Sequence, residues 1–214
     1  MTRVTGSGWI GTRGFGSGRR TEATWDTSER LFDHVASPPA GKASRNYGRF
    51  DLPTRLVCHA VHLALQDAGY GADRPCPEGT GLIGTGDVGT LGANLAYYRD
   101  FCAHGKVLGR SNLFIYTLPT SALAEAAIHF RLLGPLLFLG SGADGDLDPA
   151  FRAAEDFLAG AGVPCMMVCD ATPSAALVHV VEAVAVPDGL DEGGAWAAAD
   201  ALRRIAAGQD GFPA

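Results

Sequence analysis

Apolar side chains return at helical spacing along residues 51–70, where Leu56, Val57, Ala60, Leu63, Ala64 and Ala68 mark one face. Asp51 stands as an N-cap, Pro53 falls in the first turn and Gly69 closes the run, so both ends of this helix are specified. The same spacing predicts helices over 91–105, 119–132 and 149–162. In the last, Phe151, Ala154, Phe157 and Leu158 form a single stripe behind Asp148-Pro149. Short apolar runs at 3–10, 80–86, 136–139, 163–170 and 174–186 read as strands, the last two joined by a turn at 171–174. A closing helix is predicted over 195–207. From 12 to 49 the periodicity is poor, glycines crowd the start and Ser37-Pro38-Pro39-Ala40-Gly41 breaks any element, so only a short helix at 29–34 is expected there.

Five strands alternating with helices, most of them continuous apolar runs, predict one α/β domain over 1–214. Its sheet is expected to be five-stranded, mixed and mostly parallel, with helices on both faces and the last strand antiparallel.

Charge narrows the functional classes. Against 23 acidic residues stand 17 Lys and Arg, a net −6, with no basic block. Such a chain lacks the positive field that nucleic acid or an anionic membrane requires. No apolar run is long enough to span a bilayer, and the first 20 residues carry no apolar signal-peptide core, so a cytoplasmic location is expected. The cysteines, Cys58, Cys76, Cys102, Cys165 and Cys169, are odd in number and contain no CxxC pair. They are expected to be reduced and buried rather than a disulfide framework, with Cys165 and Cys169 on one face of a strand.

Three motifs invite chemistry. Gly6-Ser7-Gly8-Trp9-Ile10-Gly11 has the spacing of a dinucleotide fingerprint, but Thr12 to Gly18 cannot supply the helix that fingerprint needs, so a glycine-permitted turn is expected and no cofactor. His59 and His62 share a helix face, yet no third or fourth ligand accompanies them, so no metal is expected and both read as half-exposed helix residues. His34, His104, His129 and His179 read as surface or capping residues. In the loop Gly140-Ser141-Gly142-Ala143-Asp144-Gly145-Asp146 a strand runs into a helix, a place suited to an exposed nucleophile, and Ser141 is the candidate.

Read together, several segments resemble the N-terminal half of β-ketoacyl synthases. They are Val4-Thr5-Gly6-x-Gly8, Ala64-Leu65-x-Asp67-Ala68-Gly69, Thr80-Gly81-Leu82-Ile83-Gly84-Thr85-Gly86, Leu118-Pro119, and the stretch from Ala126 to Pro135 that closes in Phe130-Arg131-Leu132-Leu133-Gly134-Pro135. The resemblance runs over about residues 1 to 186. It implies a thiolase-like fold, of which this chain would form one half. In active members the strand after Gly-Pro leads to a cysteine that takes the acyl chain as a thioester, and two histidines come from the C-terminal half. Counted from Gly134-Pro135, that cysteine's place holds Ala143, and the chain ends at Ala214 before such a half.

An alanine forms no thioester. The resemblance therefore implies a non-catalytic accessory subunit, similar to chain length factors and to short synthase-like proteins of aryl polyene and polyketide clusters, working in polyketide or fatty-acid-like synthesis. Its implied partner is a full-length ketosynthase in a heterodimer, with a homodimer left open and an acyl carrier protein met only indirectly. The implied interface and acyl tunnel draw on Phe114, Ile115, Tyr116, Leu118, Pro119, Leu137 and Leu139. The alternative is a stand-alone enzyme or ligand-binding protein on a half-thiolase fold, using Ser141 or a histidine such as His59.

Overall fold

The structure, a computed structural model, describes residues 2–18, 20–25, 28–39, 46–86, 90–104, 110–140 and 147–183. Seven strands form one sheet: β1 (Thr2–Gly11), β2 (Gly14–Ser17), β3 (Arg20–Thr24), β4 (Gly81–Thr85), β5 (Leu136–Phe138), β6 (Cys165–Ala171) and β7 (Ala175–Ala183), in the order β3-β2-β1-β7-β6-β4-β5. The helices are α1 (Ser28–His34), α2 (Leu52–Asp67), α3 (Leu91–Ala103), α4 (Ser111–Ile115), α5 (Ser121–Phe130) and α6 (Asp148–Gly160). The closing helix expected over 195–207 lies outside the described residues.

Two expectations are corrected. The sheet has seven strands rather than five, because residues 14–24, read as irregular, fold back on β1 as the hairpin β2–β3. It is also not mostly parallel: of six neighbouring pairs only β4–β5 and β4–β6 run parallel, since β1 enters between β2 and β7 with both partners antiparallel.

Helices do cover both faces. Asp51 accepts the Thr54 N–H at 3.0 Å and starts α2, and Gly69 in the left-handed region (φ 78°) ends it. Helix α2 lies on β1 and β7 with α5 beside it, so its apolar stripe meets Ile10, Met167, Cys169, Val178 and Val180 in the larger core. On the opposite face α6 packs Phe151, Ala154 and Leu158 against Ile83, Met166, Val168 and Val181. The outward residues of α6, Arg152, Asp156 and Ala159 among them, are exposed, so that helix closes its side of the sheet with a largely polar surface.

Helices α3 and α4 are different. Neither has a buried residue, and they pack chiefly on each other, Tyr97 edge-on to Phe114 at 5.5 Å between ring centres.

Candidate functional site

The chain reverses its progress across the sheet at β4: it crosses outward to β5, then returns over α6 to β6 on the other side of β4. Open α/β sheets take ligands outside the carboxyl ends of strands at such points. A cavity of about 40 Å³ lies there. Its floor is the ends of the three strands, Thr85, Phe138 and Ala171. One wall is the first turn of α2 with Asp51 and Thr54; the other is Tyr116, Leu118, Pro119 and the start of α5.

Sequence-encoded caps fix these walls. Pro53 fits the first turn of α2, where no amide hydrogen is required, and the Ser121 hydroxyl donates to the Ile115 carbonyl, tying α5 to the end of α4. Burial raises the Tyr116 phenol to about 12, and the carboxylates of Glu125 and Asp51 push the same way, with Arg49 opposing. The phenol therefore stays protonated at neutral pH. Burial also raises the Glu125 carboxyl.

Of the residues singled out in the sequence, Tyr116, Leu118 and Pro119 meet at the cavity. Phe114 and Ile115 do not line it; they lie on α4, 49% and 45% exposed. Leu137 and Leu139 pack on the α6 side of the sheet, and Phe138, between them, faces the cavity. Ser141 and Ala143 lie outside the described residues, and Phe138 precedes that segment by only a few positions. Thr54, Thr85 and Phe138 are lining residues that the sequence reading missed.

The remaining candidates resolve as structure. Gly6 and Gly8 sit inside β1, not in a turn: a Cβ on Gly6 would lie 2.4 Å from the Ala68 nitrogen and one on Gly8 2.3 Å from the Ala64 nitrogen, so the glycines let α2 rest directly on the strand. His59 is buried rather than half-exposed. Its Nε2 lies 3.1 Å from Tyr47 Oη and 3.2 Å from the Ser37 carbonyl, and burial, with His34 adding to it, lowers its pKa to about 4.

His179 is likewise not a surface residue: it is 1% exposed, its Nδ1 2.8 Å from Ser7 Oγ, its pKa lowered to about 4 by burial. His104 does cap α3. Among the described residues no group of three or more His, Cys, Asp or Glu is placed to hold a metal ion. All five cysteines are free. Cys58, Cys165 and Cys169 are buried, the last two facing the larger core as expected, whereas Cys76 is half-buried and Cys102 exposed. Burial raises the Cys58 thiol to about 12, which removes its thiolate at neutral pH.

Large apolar side chains are exposed on the elements that border the cavity. Leu91, Leu95 and Tyr98 on α3, Phe114 and Ile115 on α4, and Leu118 are exposed, as are Ile128, Leu133 and Leu136 towards β5. Strand β5 is the last in the sheet, so among the described residues one side of its backbone ladder is unpaired. No described helix is long and apolar enough to cross a membrane.

No protein-family model and no curated protein sequence matches the chain. Solved structures do match. The ishigamide ketosynthase/chain length factor aligns at TM-score 0.64 with 16% identity, over 87% of this chain and 63% of that one. A β-ketoacyl synthase from Burkholderia phymatum STM815 aligns at 0.61 with 13% identity, over 86% and 59%. The ketosynthase ApeO in complex with its chain length factor ApeC from Xenorhabdus doucetiae aligns at 0.55 with 14% identity, over 86% and 79%. The chain thus spans less than two thirds of the first two. Its fold is the ketosynthase-like, thiolase-type α/β fold, as the resemblance implied.

Proposed function

We propose that the chain is a ketosynthase-like accessory subunit that pairs with a full-length, catalytically complete ketosynthase and walls the space in which the growing acyl chain ends. The setting is polyketide, aryl polyene or fatty-acid-like synthesis. The observation that carries this reading is the cavity at the carboxyl ends of β4, β5 and β6, set between the exposed apolar helices α3 and α4 and the open edge of β5.

Each part has a physical reason. An exposed strand edge beside apolar residues is a template for pairing with another chain, and apolar surface of this kind marks an interface. At the place of the synthase nucleophile the sequence has Ala143, whose methyl group cannot carry a thioester, so carbon–carbon bond formation falls to the partner's cysteine. Tyr116 and Phe138 reach the cavity, and their bulk sets how much chain fits. A net charge of −6 works against direct docking of an acidic acyl carrier protein, which leaves that contact to the partner as well.

The test is reconstitution with a full-length ketosynthase from the same host, with the products sized by mass spectrometry. Phe138→Ala shifts the products to longer chains if the cavity is a wall of the acyl tunnel. An unchanged length distribution from a stable pair overturns that role.

A further inference from the structure

At the amino ends of β4 and β6, away from the cavity, two thiols meet at one hydroxyl. Cys76 lies in the connection between α2 and β4, its Sγ 3.2 Å from Thr80 Oγ1. Cys165, the first residue of β6, is in side-chain hydrogen-bond contact with both Cys76 and Thr80. Ninety residues apart in order of magnitude along the chain, the two sulfurs are thus brought together by the fold.

The two are unequal. Cys76 is half-buried, and residues 71–75 before it are exposed, whereas Cys165 is fully buried. The hydrogen bond from Cys165 lowers the Cys76 pKa, against burial and the Glu182 carboxylate, which raise it. The same bond raises the Cys165 thiol, with burial and Glu182 adding to it. A thiolate-forming sulfur therefore stands on the solvent side, with a protonated one held against it. Cys58 and Cys169, both buried in the larger core, are raised by burial and share neither feature.

We propose that Cys76 and Cys165 form a reversible thiol–disulfide site, closed by a hydroperoxide and reopened by a dithiol, that staples the α2–β4 connection to the first residue of β6. The Cys76 thiolate attacks one peroxide oxygen; the O–O bond breaks, the leaving oxygen is protonated to water (or alcohol), and Cys76 becomes a sulfenic acid. The Cys165 sulfur then attacks the Cys76 sulfur, the S–S bond forms, the S–O bond breaks, and the Cys165 proton leaves with the hydroxyl as water. The peroxide gains the two electrons that the thiols lose. A disulfide holds its sulfurs at about 2.05 Å, closer than any hydrogen-bond contact. Residues 71–80 form no helix or strand, so this connection supplies the movement while Cys165 stays in the sheet. The cavity lies at the opposite ends of the same strands, beside Thr85 and Ala171, and the site does not rest on the accessory-subunit reading.

The test uses the reduced full chain treated with hydrogen peroxide, the remaining thiols then being alkylated. Cleavage before aspartates separates Cys58 from Cys76 at Asp67 and Asp73, and fragmentation of the linked peptides distinguishes Cys165 from Cys169. The expected result is an intact mass lower by two hydrogen atoms, one bridge between Cys76 and Cys165, and recovery of both thiols with dithiothreitol. Cys76→Ser is expected to lose the bridge, and Cys165→Ala to leave Cys76 as a sulfenic acid that takes up dimedone. Bridges found only through the exposed Cys102 or among other cysteines, a Cys76 oxidised with no bridge in the wild type, or a bridge that survives dithiothreitol in the folded chain overturns the proposal. Should Cys165→Ala fail to fold, the wild-type map and Cys76→Ser decide.

Discussion

A Cβ on Gly8 of β1 would stand 2.3 Å from the Ala64 backbone nitrogen of α2. The Ala60 carbonyl oxygen at 2.4 Å and the Leu63 Cβ at 2.6 Å crowd the same point, so no flexible side-chain end can swing aside. Gly8→Ala must lift α2 off the sheet or bend β1. The expected cost is about 1–3 kcal/mol or more, seen as a lower urea midpoint with an unchanged slope. A variant as stable as the parent would show that α2 does not rest on the strand.

Those glycines also show why the sequence was legible only in part. Their spacing is that of a phosphate-binding turn, and only the contact with Ala60, Ala64 and Ala68, more than fifty residues on, reveals them as a seat for a helix. Helix α2 itself was plain because Asp51 and Gly69 fix its ends locally. The hairpin β2–β3 was not, because Gly14-Phe15-Gly16-Ser17 has no strand propensity of its own. It is held by pairing with β1 and by Phe15 and Trp25 stacking near His34.

At the site, Tyr116, Leu118 and Pro119 can be singled out in the sequence, but a wholly apolar strand gives no sign of its faces: Phe138 lines the cavity, and Leu137 and Leu139 pack on the α6 side of the sheet. Thr54 sent no signal, since a buried hydroxyl without a partner is visible only in three dimensions.

Acid weakens the fold through two histidines. His59 and His179 are neutral in the folded chain, with pKa values lowered to about 4 chiefly by burial, against 6.5 for an unperturbed imidazole. Between those values the unfolded chain binds more protons, so stability rises with pH: it is complete above about 6.5, falls as the pH drops, and levels off below about 4. Each contributes roughly 3 kcal/mol over that window. Denaturation at a series of pH values, with ring-proton shifts read in the folded protein, checks this. Folded-state midpoints near 6.5 for both rings would contradict it.

The exposed leucines of α3 separate stability from assembly. Leu95 is 45% exposed on a helix with no buried residue, so Leu95→Ser leaves the unfolding free energy of the isolated chain within about 0.5 kcal/mol of the parent. The same change weakens retention of the ketosynthase in a pull-down. Loss of fold, or undiminished retention, would place α3 elsewhere in the assembly.

Strand β5 offers a second handle on pairing. Leu136, 36% exposed at the open edge, changed to Lys introduces a charge where a partner strand would lie. The variant is expected to remain folded alone and to dissociate from the ketosynthase at concentrations that hold the parent pair together, as measured by light scattering after gel filtration. A pair as tight as the parent's would exclude this edge from the interface.

Affinity purification of the tagged chain from its native host, with mass spectrometry of everything retained and light scattering of the complex, tests the central claim most directly. The account predicts a ketosynthase with an intact nucleophilic cysteine at equal molar amount, in a one-to-one pair. Recovery of the chain by itself, as a monomer or as a pair of its own copies at native concentration, would contradict it.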